Sequence, residues 1–340
     1  MSIVLSDARP SGPVLALDLG GTNARAAVVT ADGVLGGRHA GATPMDEGAS
    51  AVVGYCAALM ERATAAHQAA GGAPPVAIGI SAPGPLDPRT GALIDPPNLR
   101  GEWWGFPLAP AISEHFGLPA VLEKDTNVAI LGEAVFGAGR GSRDLVYLTV
   151  STGVGGAVLA DGRLLTGPDG VAGELGHLTV DLDGPVCGCG ARGHLEAIAS
   201  GTGMARAARD ALEAGEAAPI LRRLADDAAP RPLSAADVAR AADLGDPVAG
   251  VIIEAARRAV AVSVVSIVDV FGPDAVILGG GIAIAWGERL VAPARDAVAA
   301  TAFRIQAARA RIVQAALGDD VGLVGTVPLV ASALPALAEA

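Results

Sequence analysis

Apolar residues recur along the chain in two rhythms. Short runs of four to six alternate with longer stretches in which hydrophobic positions return every three or four residues. The short runs, at 14–19, 26–30, 76–80, 120–123, 145–150, 157–160 and 275–278, predict strands. Helical spacing covers 49–70, 127–136 and several Ala-rich stretches after residue 193, the longest at about 247–271. Strands alternating with helices predict an α/β architecture. Two strand pairs share one plan. Run 14–19 carries Asp18 and leads through Gly20, Gly21 and Thr22 into 26–30, and run 145–150 leads through Ser151-Thr152-Gly153-Val154-Gly155-Gly156 into 157–160. That recurrence predicts a duplicated αβ unit rather than two unrelated domains. The expected boundary lies near Lys124, giving a small domain, 1–124 with a C-terminal segment of about 321–340 packed back onto it, and a larger one, 125–320.

Composition narrows the function classes. A chain of 340 residues is long enough for two cores, and with 51% hydrophobic but only 3% aromatic residues those cores are built from Ala, Val, Leu and Ile. A disordered chain is excluded. The net charge of −12, with basic residues scattered singly or in pairs, provides no footprint for a nucleic-acid backbone. Neither apolar stretch suits a membrane. Residues 259–268 are flanked by Arg257, Arg258 and Asp269, and 321–338 is broken by Gly322, Gly325, Pro328 and Pro335. The N-terminal 13 residues lack the pattern of a signal peptide, so a soluble cytoplasmic protein is expected. Three cysteines, Cys56, Cys187 and Cys189, are too few for a disulfide framework, and the close pair is better suited to a metal. Lys124 is the only lysine in a chain that otherwise uses arginine.

No P-loop and no strand-to-helix G-x-G-x-x-G segment occurs. What remains is a glycine turn between two strands, opened by an acid. In such a turn backbone N–H groups can approach anionic oxygens, Thr22 can donate to a phosphate, and Asp18 can hold a hydrated magnesium. A plain hairpin with a glycine bulge would look the same. Two further turns of this kind, Ser151 to Gly156 and Gly279-Gly280-Gly281, each follow an apolar strand, and three such turns favour phosphate binding.

Asp125 follows a strand and opens a helix, a position that suits either an N-cap or a base aligned with a substrate hydroxyl. Downstream, Glu174-Leu175-Gly176-His177 precedes Cys187-Gly188-Cys189 and His194-Leu195-Glu196. His177, Cys187, Cys189 and His194 form a set suited to tetrahedral zinc in a structural role. The bland alternative is an incidental Cys pair and a satisfied core histidine.

The three glycine turns together resemble the actin/hexokinase/Hsp70-type (RNase H-like) phosphotransferase fold. That resemblance implies two duplicated domains around an ATP/sugar cleft. Asp18, Gly20, Gly21, Thr22 and Asn23 would face the phosphates, as would Thr152, Gly153 and Gly155, and Gly279, Gly280 and Gly281 would lie against the adenosine. The E-x-G-H segment and the Cys/His loop closely resemble the ROK family of bacterial sugar kinases and sugar-responsive repressors. By that resemblance Glu174, His177 and Glu196 bind sugar hydroxyls, and His177 uses its other ring nitrogen for zinc. Asp125 takes the proton of the sugar 6-hydroxyl, Gly84 and Asn98 belong to loops that close over the sugar, and the molecule is a homodimer using ATP and Mg2+. Two positions depart from the family pattern. His194 stands where the family has a third cysteine, and Lys124 stands where it has an asparagine that contacts the sugar.

The expected activity is ATP-dependent phosphorylation of a hexose, most simply glucose. N-acetylglucosamine or N-acetylmannosamine kinase is the alternative, with fructokinase next. A sugar-sensing repressor is expected to carry a winged-helix segment before the first strand, where about thirteen residues stand here. A non-catalytic sugar-binding relative is disfavoured by the intact Asp125.

Overall fold

The computed structural model describes residues 3–5, 8–94, 96, 99 and 102–337. In chain order its first elements are β1 (Val14–Leu19), β2 (Asn23–Val29), β3 (Leu35–Ala42), α1 (Ala49–Ala69), β4 (Ala77–Ala82), β5 (Leu86–Asp87), β6 (Ala92–Ile94), β7 (Trp104–Phe106), α2 (Leu108–Phe116), β8 (Ala120–Lys124) and α3 (Asp125–Phe136). Strands β9 (Leu145–Val150), β10 (Val154–Ala160) and β11 (Arg163–Leu164) follow. Then come α4 (Leu195–Ala199), α5 (Gly201–Glu213), α6 (Pro219–Ala228), α7 (Ala235–Asp243), α8 (Pro247–Phe271), β12 (Ala275–Gly279), α9 (Gly281–Trp286), α10 (Glu288–Thr301), α11 (Arg304–Ala307), β13 (Arg311–Gln314), α12 (Val321–Val324) and α13 (Thr326–Leu337). The chain divides into two compact units: Met1–Leu145 with Ala157–Gly173 and Ala316–Ala340, and Val146–Gly156 with Glu174–Ala315.

The first unit is built on a sheet in the order β3-β2-β1-β4-β8, antiparallel from β3 to β1 and parallel from β1 to β8. Alternation along each strand gives the sheet two apolar faces. Leu15, Leu17, Leu19, Ile78 and Ile80 pack with Val52, Cys56 and Met60 of α1 and with Leu108 and Ile112 of α2. Val14, Ala16, Ala27, Val29 and Ala77 pack on the other face with Leu323 of α12 and Val327 and Val330 of α13. Residues of α12 and α13 therefore cover the second face of this sheet.

Helix α3 belongs with this unit, although a boundary at Lys124 would assign it to the other. It packs against α12 and α13. Glu133 is fully buried, and its carboxylate accepts the N–H of Ala138 at 2.7 Å and those of Ala316 and Leu317 at 2.9 Å each. Moving α3 away would strand that carboxylate among unpaired backbone groups.

The second sheet runs β11-β10-β9-β12-β13, with β12 and β13 parallel. In the second unit α5 to α8 enclose a core of Ala208, Leu221, Leu224, Val238, Ala241 and Ala249. Asp246, almost wholly buried, caps α8 through the N–H groups of Val248 and Ala249 and also accepts those of Ile220 and Leu221 in α6.

Several elements carry no apolar signature. Strand β3 reads LGGRHAGA and lies at a sheet edge, and β5-β6-β7 is a small sheet of two- and three-residue strands. Helix α13 tolerates Pro328 because a residue in the first helical turn has no intrahelical partner for its N–H. Among the described residues no helix is long and apolar enough to cross a membrane.

Candidate functional site

Within the first unit, candidate residues collect at the carboxyl ends of β1, β4 and β8, the edge at which parallel sheets present ligand sites. The register sets Asp18 beside Ser81 and Ser81 beside Glu123. Asp18 Oδ1 accepts the Ser81 hydroxyl at 2.9 Å and Oδ2 accepts Arg25 Nη1 at 3.0 Å. Burial pushes its carboxyl above the usual range, against the pull of Arg25 and Ser81, and the nearby Asp320 adds to the rise. Helix α12 crosses so closely that a Cβ on Gly322 would stand 2.5 Å from Asp18 Oδ1. The β1–β2 turn is closed by Gly20 N–H donating to Asn23 O at 2.9 Å. A Cβ on Gly20 would sit 2.9 Å from that same oxygen. Gly21 is half-buried in this turn, and Thr22 and Asn23 are exposed.

Asp125 is exposed as the first residue of α3, and Lys124 takes the N-cap position. The carboxylate of Asp125 therefore lies in the first turn, where negative charge suits the helix dipole, and its Oδ1 accepts the Thr126 N–H at 2.7 Å. Lys124 is only 6% exposed, and its stem lies beside Gly84, where a Cβ would come 3.4 Å from Lys124 Cδ. Glu123 Oε1 accepts the Lys124 N–H at 2.8 Å and Asn127 Nδ2 at 3.0 Å. Burial raises the pKa of Glu123. Its Oε2, Thr126 Oγ1 and Asn127 Oδ1 are buried without a hydrogen-bond partner. Asn98 lies outside the described residues.

Within the second unit the 151–156 turn is held from two sides. Gly201 N–H donates to Ser151 O at 2.8 Å, and Thr202 donates to Thr152 O through its N–H at 3.1 Å and its hydroxyl at 3.0 Å. Val154 N–H donates to Glu196 Oε2 at 3.0 Å. Thr152 remains exposed, and Gly153 and Gly155 are half-buried. The glycines at the end of β12 and just beyond it lie against the strand that precedes this turn. A Cβ on Gly279 would stand 2.1 Å from the Tyr147 hydroxyl, and one on Gly280, whose φ is +86°, would stand 2.4 Å from Thr149 Oγ1. The Cβ position of Gly281 is 3.7 Å from Ser151 Oγ, so two of the three glycine turns meet.

The Cys/His set is also assembled. The candidate ligand atoms of His177, Cys187, Cys189 and His194 all lie within 4.8 Å of one another. His177 Nδ1 is 3.1 Å from His194 Nδ1 and 4.0 Å from Cys187 Sγ, and Cys189 Sγ is 3.3 Å from His194 Nδ1. A tetrahedron with ordinary Zn–N and Zn–S bonds has edges of about 3.3 to 3.8 Å, so the donors fit zinc in type and their separations bracket that range. Burial, with Cys189 and Glu196 close by, pushes the Cys187 thiol up. The loop also holds itself: Cys187 N–H donates to Ala191 O, Gly190 N–H to Cys187 O and Gly193 N–H to Pro185 O. Gly193 is obligatory here, since its Cβ would overlap Asp181 O. Glu174 is exposed just before the turn that carries His177.

Comparison with known proteins places this arrangement. The model of the ROK family matches residues 14–333. The chain belongs to the ROK family. The glucokinase of Thermotoga maritima, a ROK relative, is 33% identical over 94% of this chain and 98% of its own length. A ROK hexokinase from Thermus thermophilus superposes with a TM-score of 0.76 at 35% identity, covering 96% of this chain and 100% of that one. A ROK family glucokinase from Streptomyces griseus, solved with glucose and AMPPNP, gives 0.75 at 33% identity over 94% and 99%. The fold is thus the α/β, actin/hexokinase-like fold of ROK sugar kinases. Sequence reading missed Arg25 and Ser81, which hold Asp18, and the Glu123–Asn127 pair that supports the β8–α3 junction. The i, i+4 spacing of Glu123 and Asn127 was the available signal.

Proposed function

We propose that this ROK protein is an ATP-dependent hexose kinase that phosphorylates the 6-hydroxyl, most simply of glucose. The observation that carries this reading is the exposed carboxylate of Asp125 at the carboxyl end of β8, among neighbours Glu123, Lys124, Thr126 and Asn127 that are all buried. Asp125 accepts the 6-hydroxyl proton as the sugar oxygen attacks the γ-phosphorus of ATP. The bond to the β–γ bridging oxygen breaks, and ADP leaves with its electron pair. Glu174, His177, Glu196, Gly84, Asn98 and Lys124 hold the sugar. Asp18 to Asn23 and Thr152 to Gly155 receive the phosphates, and Gly279 to Gly281 the adenosine.

Mg2+ would neutralise charge on the transferred phosphoryl group. Asp18 suits a hydrated ion, since a carboxylate has lone pairs beyond those taken by Arg25 and Ser81. Zinc would be held by Nδ1 of His177, Cys187, Cys189 and Nδ1 of His194, a complete protein set that leaves no place for an activated water. Nε2 of His177 then stays available to a sugar hydroxyl. A cytoplasmic homodimer completes the reading.

A coupled ADP-release assay across a panel of hexoses tests it. Glucose is expected to give the highest kcat/KM. Preference for a 2-acetamido sugar or fructose would move the substrate within the family, and no ADP release with any hexose would remove the kinase assignment.

A further inference from the structure

One carboxylate touches both the Cys/His cluster and the glycine turn of the second unit. Glu196 lies in the first turn of α4, two residues after His194. Its Oε2 accepts the Val154 N–H at 3.0 Å, and its Oε1 lies 3.8 Å from Cys187 Sγ. The carboxylate rests directly on the turn, since a Cβ on Gly153 would stand 2.8 Å from Oε2. The carbonyls of Ser151 and Thr152 are fixed from the start of α5. Glu196 fixes the N–H side of the same turn from the cluster.

We propose that Glu196 is a positioning residue that ties the 151–156 turn to the Cys/His cluster, so that zinc loading and nucleotide affinity are coupled. The proposal rests on the reading of that turn as the phosphate turn. A charge-assisted hydrogen bond to a half-buried carboxylate holds Val154, and with it the neighbouring N–H groups of Gly153 and Gly155, in one orientation. Loss of the cation lets the 181–193 loop and the start of α4 relax, and the turn relaxes with them. By linkage the coupling is reciprocal: bound nucleotide tightens zinc by the same factor that zinc tightens nucleotide.

The test is calorimetric titration with the Mg2+ complex of AMPPNP, without sugar, paired with amide exchange at Val154. Glu196→Ala is expected to weaken the analogue about tenfold and to speed exchange at Val154. Glu196→Gln keeps an acceptor for that N–H and is expected to stay within about threefold of the parent. Chelator-stripped protein should bind the analogue more weakly and recover on addition of zinc chloride. In the unmutated protein, zinc affinity measured by chelator competition should rise when the analogue is present, a readout that depends on no variant. Unchanged analogue affinity in Glu196→Ala, or zinc affinity indifferent to the analogue, overturns the coupling. A zinc-loaded parent that binds no analogue at all removes the phosphate-turn reading instead, while fast or slow exchange at Val154 still reports on the tie itself.

Discussion

Asp125 and Lys124 are adjacent in sequence and opposite in environment, the first exposed and the second buried. Replacing Asp125 with Asn keeps the shape and removes the base, so turnover should fall about 10²–10⁴-fold with sugar affinity retained. Turnover like the parent's would sink the assignment of the base. For Lys124 the outcome hinges on where its ammonium acts. Lys124→Met removes the donor and should weaken sugar affinity about tenfold, and Lys124→Asn should restore part of it. Steady-state kinetics on both variants decide this, and a pair of silent substitutions would reduce Lys124 to a packing residue beside Gly84. Both positions could be singled out from sequence, Asp125 by its strand-to-helix junction and Lys124 as the lone lysine. Their burial could not be read there, because it depends on what packs against the β8–α3 junction once the sheet exists.

Among the elements, α3 depends on a side chain that local pattern gives no reason to notice. Glu133 sits fully buried and accepts three backbone N–H groups, two of them from residues 316 and 317. Glu133→Ala removes the acceptor of all three N–H groups, those of Ala138 and Leu317 on half-buried residues, and should cost about 1–3 kcal/mol. Glu133→Gln retains one acceptor oxygen and should cost less. Urea unfolding midpoints of the two variants provide the comparison, and an alanine variant as stable as the parent would show that water replaces the carboxylate freely. Strands β1, β9 and helix α8 were legible because their apolar runs are bounded on at least one side by Gly, Pro or charge. Strand β3 was not, since an edge strand with one wet face and three glycines carries almost no periodic signal. The turns were legible as glycine-rich, but which turn meets which is a long-range fact: Gly281 approaches Ser151 only because β12 lies beside β9.

For the whole molecule, the Cys/His cluster provides the sharpest quantitative expectation. Elemental analysis of purified protein should find about one zinc per chain. Cys187→Ala should lose metal, sugar affinity and activity together, whereas His194→Cys should keep the metal and much of the activity. A fully active preparation with far less than one equivalent would overturn the role of this cluster. Its four residues were legible as a set from their spacing. Its contact with Glu196 and the 151–156 turn was not, because nothing in the sequence brings residue 154 to residue 196.

The division into units could be read only in part. The duplicated turns point to two halves and the return of the C-terminal segment to the first of them was expected, but the membership of α3 was not legible, because it depends on Glu133 meeting residues 316 and 317. That return governs the order of events at the ribosome. The sheet of the first unit is synthesised early, yet the face formed by Val14, Ala16, Ala27 and Val29 has only Leu35 and Phe136 packed against it until Leu323, Val327 and Val330 emerge. Every element of the second unit, by contrast, is complete before residue 316. The half of the chain whose strands are made first thus completes its core last, with part of an apolar sheet face open until residues 323–330 arrive.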